Sequence, residues 1–264
     1  MDIWNRFKTG MTWRYNKYCK NIIPYVIKGR FTYGVCPVCN NQTLFLDVYP
    51  NRLRESFLCI FCNSFSRHRA LITVLKNIFP QYQDLHIYEP APGGAVSAKL
   101  KKECKHYTVS HYFPDVTPGK IEKGFRCENI EETTFNNSIY DIIITQDVFE
   151  HILHPNKAFA EIKRILKPDG VHIFTVPLNY DKRTVFRVVE EKESMKFMEE
   201  PIYHGNPIDK KGSLVVTDWG FDLFDYIFLH SGMNTNIFSI RDKKIGLGNS
   251  ILRVYVSKYV LSPL

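Results

Sequence analysis

The feature that most constrains this chain is a strand–helix–strand pattern over residues 140–177. "YDIIITQ" (140–146) is a nearly continuous apolar run, as a strand buried on both faces requires. "NKAFAEIKRILKPDG" (156–170) has apolar residues at Ala158, Phe159, Ile162, Ile165 and Leu166, a helical spacing, and stops at Pro168–Gly170. "VHIFTVP" (171–177) is a second buried strand. The alternation also runs upstream. A helix is predicted over 67–80, a strand at 85–89, a helix over roughly 95–104 and a short strand at "HYTVS" (106–110). Strands alternating with helices predict an α/β fold built on a doubly wound, mostly parallel sheet. Residues 178–220 break the rhythm with charge and scattered Pro and Gly, and read as an insertion over the rim of a site. "TNIFSIR" (235–241) and "ILRVYVSKY" (251–259) predict an antiparallel finish to that sheet.

Before this block lie two cysteine pairs, "CPVC" (Cys36, Cys39) and "CIFC" (Cys59, Cys62), 19 residues apart. Each short knuckle can turn two thiolates toward one point, and two knuckles complete a tetrahedron. The spacing predicts a structural zinc ribbon at 33–66; a redox pair or four unrelated buried thiols are the alternatives. A closed four-sulfur site leaves no open position for substrate, so the metal is expected to be structural. Cys19, Cys104 and Cys127 have no partner in sequence and read as inert buried thiols.

With 264 residues, 44% of them apolar, the chain can build one sizeable domain plus a small accessory module. No apolar run approaches the ~20 residues of a membrane-spanning helix, and the N-terminus lacks a signal-peptide core, so a cytoplasmic location is expected. Of the net charge of +8, the first 34 residues supply +6, leaving a nearly neutral body. Within 1–32, Trp4, Phe7, Met11, Tyr15, Tyr18 and Ile22 fall on one helical face. That stripe would pack on the body or on a second copy of the chain as a homodimer. A peripheral contact with an anionic membrane and an RNA-binding arm are the other readings.

"IYEPAPGGAVSAKL" (87–100) reads as a strand, a turn and a helix N-terminus, with Gly93 and Gly94 permitting close backbone approach to a ligand. Aligned on Glu89, its Glu-x-Ala-x-Gly-x-Ala pattern resembles the Glu/Asp-x-Gly-x-Gly-x-Gly turn of class I S-adenosylmethionine-dependent methyltransferases. Residues 127–177 resemble the central block of the same superfamily, its type 11-like members included. The matching pieces are "CENI", "SIYD", "QDVFEH" and "LKPDG", in that order. The resemblance covers 67–177 well, and 1–66 and 178–264 poorly. It implies a Rossmann-like, seven-stranded sheet over 67–264 and a cofactor, S-adenosylmethionine.

Carried over by position, the resemblance implies that Glu89 orients the methionine amine. Pro90, Ala91, Gly93 and Gly94 would pass beneath the methionine and ribose, and Glu128, Asn129 and Ile130 would flank the adenine. Gln146 and Asp147 would lie near the transferring methyl. The family's ribose-binding acid after the second strand is missing. Ser110 and His111 stand there, with Asp115 further on.

A hydroxyl acceptor would also need a general base. His151, His204 and Asp147 are the candidates, with Asp218 a further one; helix-start packing for His151 and a loop-ordering bond for His204 are the alternatives. A zinc ribbon before such a core, with "GNPIDKKGSLVVTDWG" after it, resembles bacterial methyltransferases found with surface-glycan (capsule, polysaccharide) biosynthesis. That implies a small-molecule or nucleotide-sugar acceptor and O-methylation. An RNA methyltransferase with a zinc module, and a non-catalytic protein retaining the cofactor fold, are the other readings.

Overall fold

The computed structural model describes residues 22–192, 194–205 and 211–259. The stripe from Trp4 to Tyr18, and with it the homodimer, membrane and RNA-arm readings, lies outside the described residues, as does Cys19. A short helix, α1 (Ile23–Ile27), is the first described element.

The described residues divide into two compact units, one within 22–73 and 239–252, the other within 74–238 and 253–259. In the smaller, β1 (Phe31–Val35), β2 (Gln42–Asp47) and β3 (Phe57–Cys59) form an antiparallel sheet in that order. The unit extends beyond the 33–66 expected from the cysteines, because the distant segment 239–252 packs into it. Gly34 shows why: a Cβ there would lie 1.7 Å from the Lys244 carbonyl oxygen, so only glycine admits that approach. Helix α2 (Ser66–Ile78) leads out of this unit.

The larger unit is built on an eight-stranded sheet. Six of its strands are β4 (His86–Pro90), β5 (His106–His111), β6 (Ile121–Glu122), β7 (Phe125–Cys127), β8 (Tyr140–Gln146) and β9 (Leu166–Thr175). With the two tail strands the order is Met233–Ile240, Leu252–Tyr259, β9, β8, β4, β5, β7, β6. The β9–β8–β4–β5–β7 run is parallel, and Leu252–Tyr259 joins β9 antiparallel. The eighth strand, beyond the seven expected, is the two-residue β6, folded back antiparallel on β7.

Helices α3 (Gly94–Glu103), α4 (Pro155–Ile165) and α5 (Leu223–Ser231) complete this unit. The amphipathic α4 buries Ala158, Phe159, Ile162 and Ile165 in a core shared with Tyr88, Ile143, Phe149, Phe174, Trp219 and Ile227. One boundary differs from the sequence reading. The helix ends at Ile165 rather than near Gly170, and β9 starts at Leu166. Pro168 drives the preceding residue toward extended backbone, and Asp169 turns left-handed at φ 68°. The extra residues are absorbed as a bulge, with Tyr140 opposite Leu166 but Ile142 already opposite Val171. The predicted insertion is a set of short pairings, including Tyr203–His204 against Ser213–Leu214, and Val185–Phe186 against Thr217–Gly220.

Candidate active site and four-cysteine cluster

In the smaller unit the four cysteines converge. Their sulfurs lie within 4.8 Å of one another, Cys36 to Cys62 at 3.7 Å and Cys39 to Cys59 at 3.9 Å. A tetrahedron with ~2.3 Å zinc–sulfur bonds has edges of about 3.8 Å, so the spacing fits that ion. The surroundings fit its charge. Arg69 is fully buried and donates to the carbonyls of Ser64, Phe57 (2.7 Å), Ile245 (2.7 Å) and Gly246 (2.8 Å). Burial pushes its guanidinium down to about 10, and the cysteine thiolates oppose that shift. A buried cation ringed by neutral carbonyls needs a counter-charge, and four thiolates around a divalent ion carry a net −2.

In the larger unit, the sheet order reverses at β4. The chain leaves β4 toward β5 on one side and later returns to β8 on the other. A crevice forms beyond the strand ends at such a switch point. Glu89, buried at the end of β4, accepts from Gln146 Nε2 (2.6 Å), from Ser97 Oγ (2.9 Å) and from the Tyr107 hydroxyl. Burial pushes the Glu89 carboxyl up to about 7, against the pull of those three donors. Tyr107 and Ser97 were not singled out from the sequence. The available signal was a hydroxyl one helical turn past Gly93.

The turn after Glu89 is shaped by its small residues. Ala91 sits left-handed at φ 53°, where its N–H donates to the Ser110 carbonyl (2.8 Å). Gly93 caps α3 in extended backbone, and its N–H donates to Ser97 Oγ (2.7 Å). A Cβ added at Gly93 would meet nothing within 4 Å, so the turn borders open space. Gly94 follows at φ 69°. These residues fit a bound S-adenosylmethionine: room beside Gly93, and a carboxylate for an ammonium at Glu89.

The other sequence candidates divide. Ser110 is buried with its hydroxyl 2.6 Å from that of Tyr88. His111 is held by the Pro92 carbonyl, and burial pushes its imidazole down to about 4, so it is neutral. The structure thus joins β5 to the glycine turn through an imidazole where an acid was expected. Asp115 lies in an exposed turn. Glu128 spends its carboxylate on Arg126 Nε (2.6 Å), Thr134 Oγ1 (2.6 Å) and Thr134 N (2.8 Å). Asn129 is half-buried, its Oδ1 accepting from Glu131 N (3.0 Å), and Ile130 belongs to the core.

At the end of β8, Asp147 takes a left-handed φ of 53°, with its carboxylate accepting from Thr175 Oγ1 (2.9 Å). Non-glycine residues held there mark strain that clusters at functional sites. A 3-10 turn, Phe149–His151, follows. His151 meets His204 edge to face, ring centroids 5.1 Å apart. His151 Nδ1 lies 2.7 Å from the Leu214 carbonyl and donates to it, which fixes the tautomer and leaves Nε2 as the basic nitrogen. Burial holds this imidazole below its ordinary range. The fourth candidate, Asp218, is ion-paired with Arg187 at 2.6 Å.

Residues 91–174 match the protein family described as "Methyltransferase domain". No curated protein matches the chain. Solved structures similar to it include the YcgJ protein of Bacillus subtilis, at 11% identity over 73% of this chain and 99% of that one, TM-score 0.47. A chain from the complex of the Haloferax volcanii Trm112 methyltransferase activator with a methyltransferase shows 14% identity over 75% and 92%, TM-score 0.46. The 1,6-didemethyltoxoflavin-N1-methyltransferase of Burkholderia thailandensis, with S-adenosylhomocysteine bound, shows 11% identity over 74% and 78%, TM-score 0.43. Similarity at this level carries no inference about acceptor or partner.

Proposed function

We propose, from the premise that this chain is an S-adenosylmethionine-dependent methyltransferase with its methyltransferase domain at residues 91–174, that it methylates a hydroxyl of a small-molecule or sugar acceptor. The observation that carries the reading is the placement of His151 and His204. His151 follows the strand whose last residue, Gln146, is bonded to Glu89, His204 meets it edge to face from the insertion, and His151 presents Nε2 as its basic nitrogen. When bound, S-adenosylmethionine supplies a methyl group on a positively charged sulfur.

The protein's own residues then have four tasks. Glu89 binds the cationic amine of the methionine, with Tyr107, Ser97 and Gln146 fixing its carboxylate. Gly93, with no side chain, lets the backbone approach the cofactor closely. His151, its Nε2 free and His204 beside it, handles the acceptor's proton. The insertion that carries His204 shapes the acceptor pocket and limits water, so that alignment contributes much of the rate. We further propose structural zinc on Cys36, Cys39, Cys59 and Cys62. Among the described residues no helix is long and apolar enough to cross a membrane.

Calorimetry with S-adenosylmethionine on folded, zinc-loaded protein tests the premise. Binding is expected; its absence favours a non-catalytic protein. Labelled methyl transfer to nucleotide sugars, set against ribosomal RNA, tests the acceptor. Incorporation into RNA alone overturns the small-molecule reading.

A further inference from the structure

We propose that Glu150, His151 and His204 form a binding site for one divalent transition-metal cation, separate from the four-cysteine cluster, with coordination positions left open for an oxygen of the acceptor. The three residues place one ligand atom each within 4.8 Å of the others. His151 Nε2 and His204 Nδ1 each lie 3.9 Å from the same Glu150 oxygen, Oε1. That distance is too long for a hydrogen bond. It is somewhat wider than the about 3.4 Å between two ligands of a tetrahedral ion at ~2.1 Å, so an ion seated between them would draw the three in by a few tenths of an ångström.

The surroundings orient this set as a metal site requires. A ligating histidine ordinarily donates its other ring N–H to a carbonyl or carboxylate, which aims the ring. His151 does this through Nδ1 to the Leu214 carbonyl. The same hairpin positions the second imidazole, since Tyr203 pairs with Leu214 and His204 with Ser213. Val216 N–H, just past that hairpin, donates to the Glu150 carbonyl (2.8 Å). One segment of the insertion therefore fixes the turn bearing Glu150 and His151 and also delivers His204. Glu150 is buried and His204 is 45% exposed, so the set is anchored on one side and open on the other.

Two imidazoles and one carboxylate suit zinc, iron, nickel or copper better than calcium or magnesium, and three protein ligands leave positions free. A ligand offering one or two oxygens, such as a hydroxyl or vicinal diol, could complete the shell. Coordination makes a hydroxyl a stronger acid; with both imidazoles held on the ion, the proton passes to bulk water, and the ion takes the place of the histidine base of the metal-free reading. This catalytic consequence rests on the methyltransferase reading; the metal site does not.

The test is a cobalt(II) titration of the full-length, zinc-loaded protein without S-adenosylmethionine, followed by visible absorption and calorimetry. One equivalent beyond the four-cysteine site is expected, with nitrogen- and oxygen-ligated d–d bands and no thiolate charge-transfer band. His204→Ala, at a partly exposed position, should weaken that equivalent more than about tenfold, with the zinc content of the cysteine site and the melting temperature unchanged. No second equivalent in the wild type, or equal affinity in His204→Ala, would overturn the proposal. S-adenosylmethionine affinity measured on the same samples separates either result from failure of the methyltransferase reading.

Discussion

Gln146 Nε2 donates to Glu89 Oε1 at 2.6 Å, tying the C-terminal end of β8 to that of β4 across the switch point of the sheet. If Glu89 holds the cofactor's amine as proposed, the burial of its carboxyl couples cofactor binding to pH. Glu89 is pushed up to about 7 in the free protein, mainly by burial. A bound ammonium favours its ionised form, so binding releases a proton below pH 7. Affinity for S-adenosylmethionine should therefore fall as pH drops from 7 to 5.5, by up to about tenfold per unit. Calorimetry across that range measures the slope, and buffers of different ionisation enthalpy count the proton. Glu89→Gln should bind weakly and without pH dependence. A flat profile in the wild type would remove Glu89 from the amine-binding role.

The glycine turn offers a cleaner perturbation. Gly93 has φ −170°, extended backbone that any residue adopts, and open space where a Cβ would project. Gly93→Val should still fold, losing about 1 kcal/mol for a poorer N-cap on α3, and should retain any metal at the four cysteines. Its cofactor affinity should nevertheless collapse, because the added methyls occupy the space that the ligand needs. Unchanged affinity would mean that the cofactor lies elsewhere.

What could be read ahead of the structure, and what could not, follows from the range of the interactions. The strand–helix–strand rhythm is local, since buried strands and α4 each declare themselves by their own periodicity. The paired cysteines are equally local, and their sulfurs do converge. Arg69 gave no such signal: its acceptors Ile245 and Gly246 lie more than 170 residues away, and nothing in "SRHRAL" announces them. The same range hid the recruitment of 239–252 into the cysteine-bearing unit. At the site, the sequence offered Glu89 and Gln146 as separate candidates, but their mutual bond depends on strand order. His151 and His204 likewise meet only through a hairpin in the least regular part of the chain. The helix end at Ile165 was misplaced because Lys167–Gly170 form a bulge within a strand, which leaves no periodic trace.

Arg69 supports a prediction about the four-cysteine cluster. Its guanidinium satisfies four backbone carbonyls from three segments, and its charge faces the thiolates. Arg69→Met should destabilise the protein by about 3–5 kcal/mol, the cost typical of breaking a buried charge arrangement. It should also speed zinc release to a chromogenic chelator. Cys39→Ser should lower metal content directly. Equal release rates for wild type and Arg69→Met would show that the arginine organises the chain without supporting the ion.

The last prediction concerns acid stability. His172 is fully buried in β9, stacked on Phe174 at 4.6 Å, with Nε2 2.8 Å from Thr145 Oγ1. Burial pushes its imidazole down to about 3, as it pushes His111 down to about 4. Both groups have folded values below the ordinary 6.5, so the unfolded chain binds more protons between those limits. Stability is then full above pH 6.5 and declines as pH falls toward the folded values. Each histidine contributes about 1.4 kcal/mol per pH unit within that window. Urea unfolding at pH 6.5, 6.0 and 5.5 measures the combined slope. His172→Gln can keep a bond to Thr145 while removing the titration, and should lose about half of the histidine-linked slope, whatever its stability at pH 7. Metal release at low pH would act on both proteins alike, so the difference between their slopes isolates the histidine. Parallel slopes would mean that His172 is protonated in the folded core without penalty, against the burial observed.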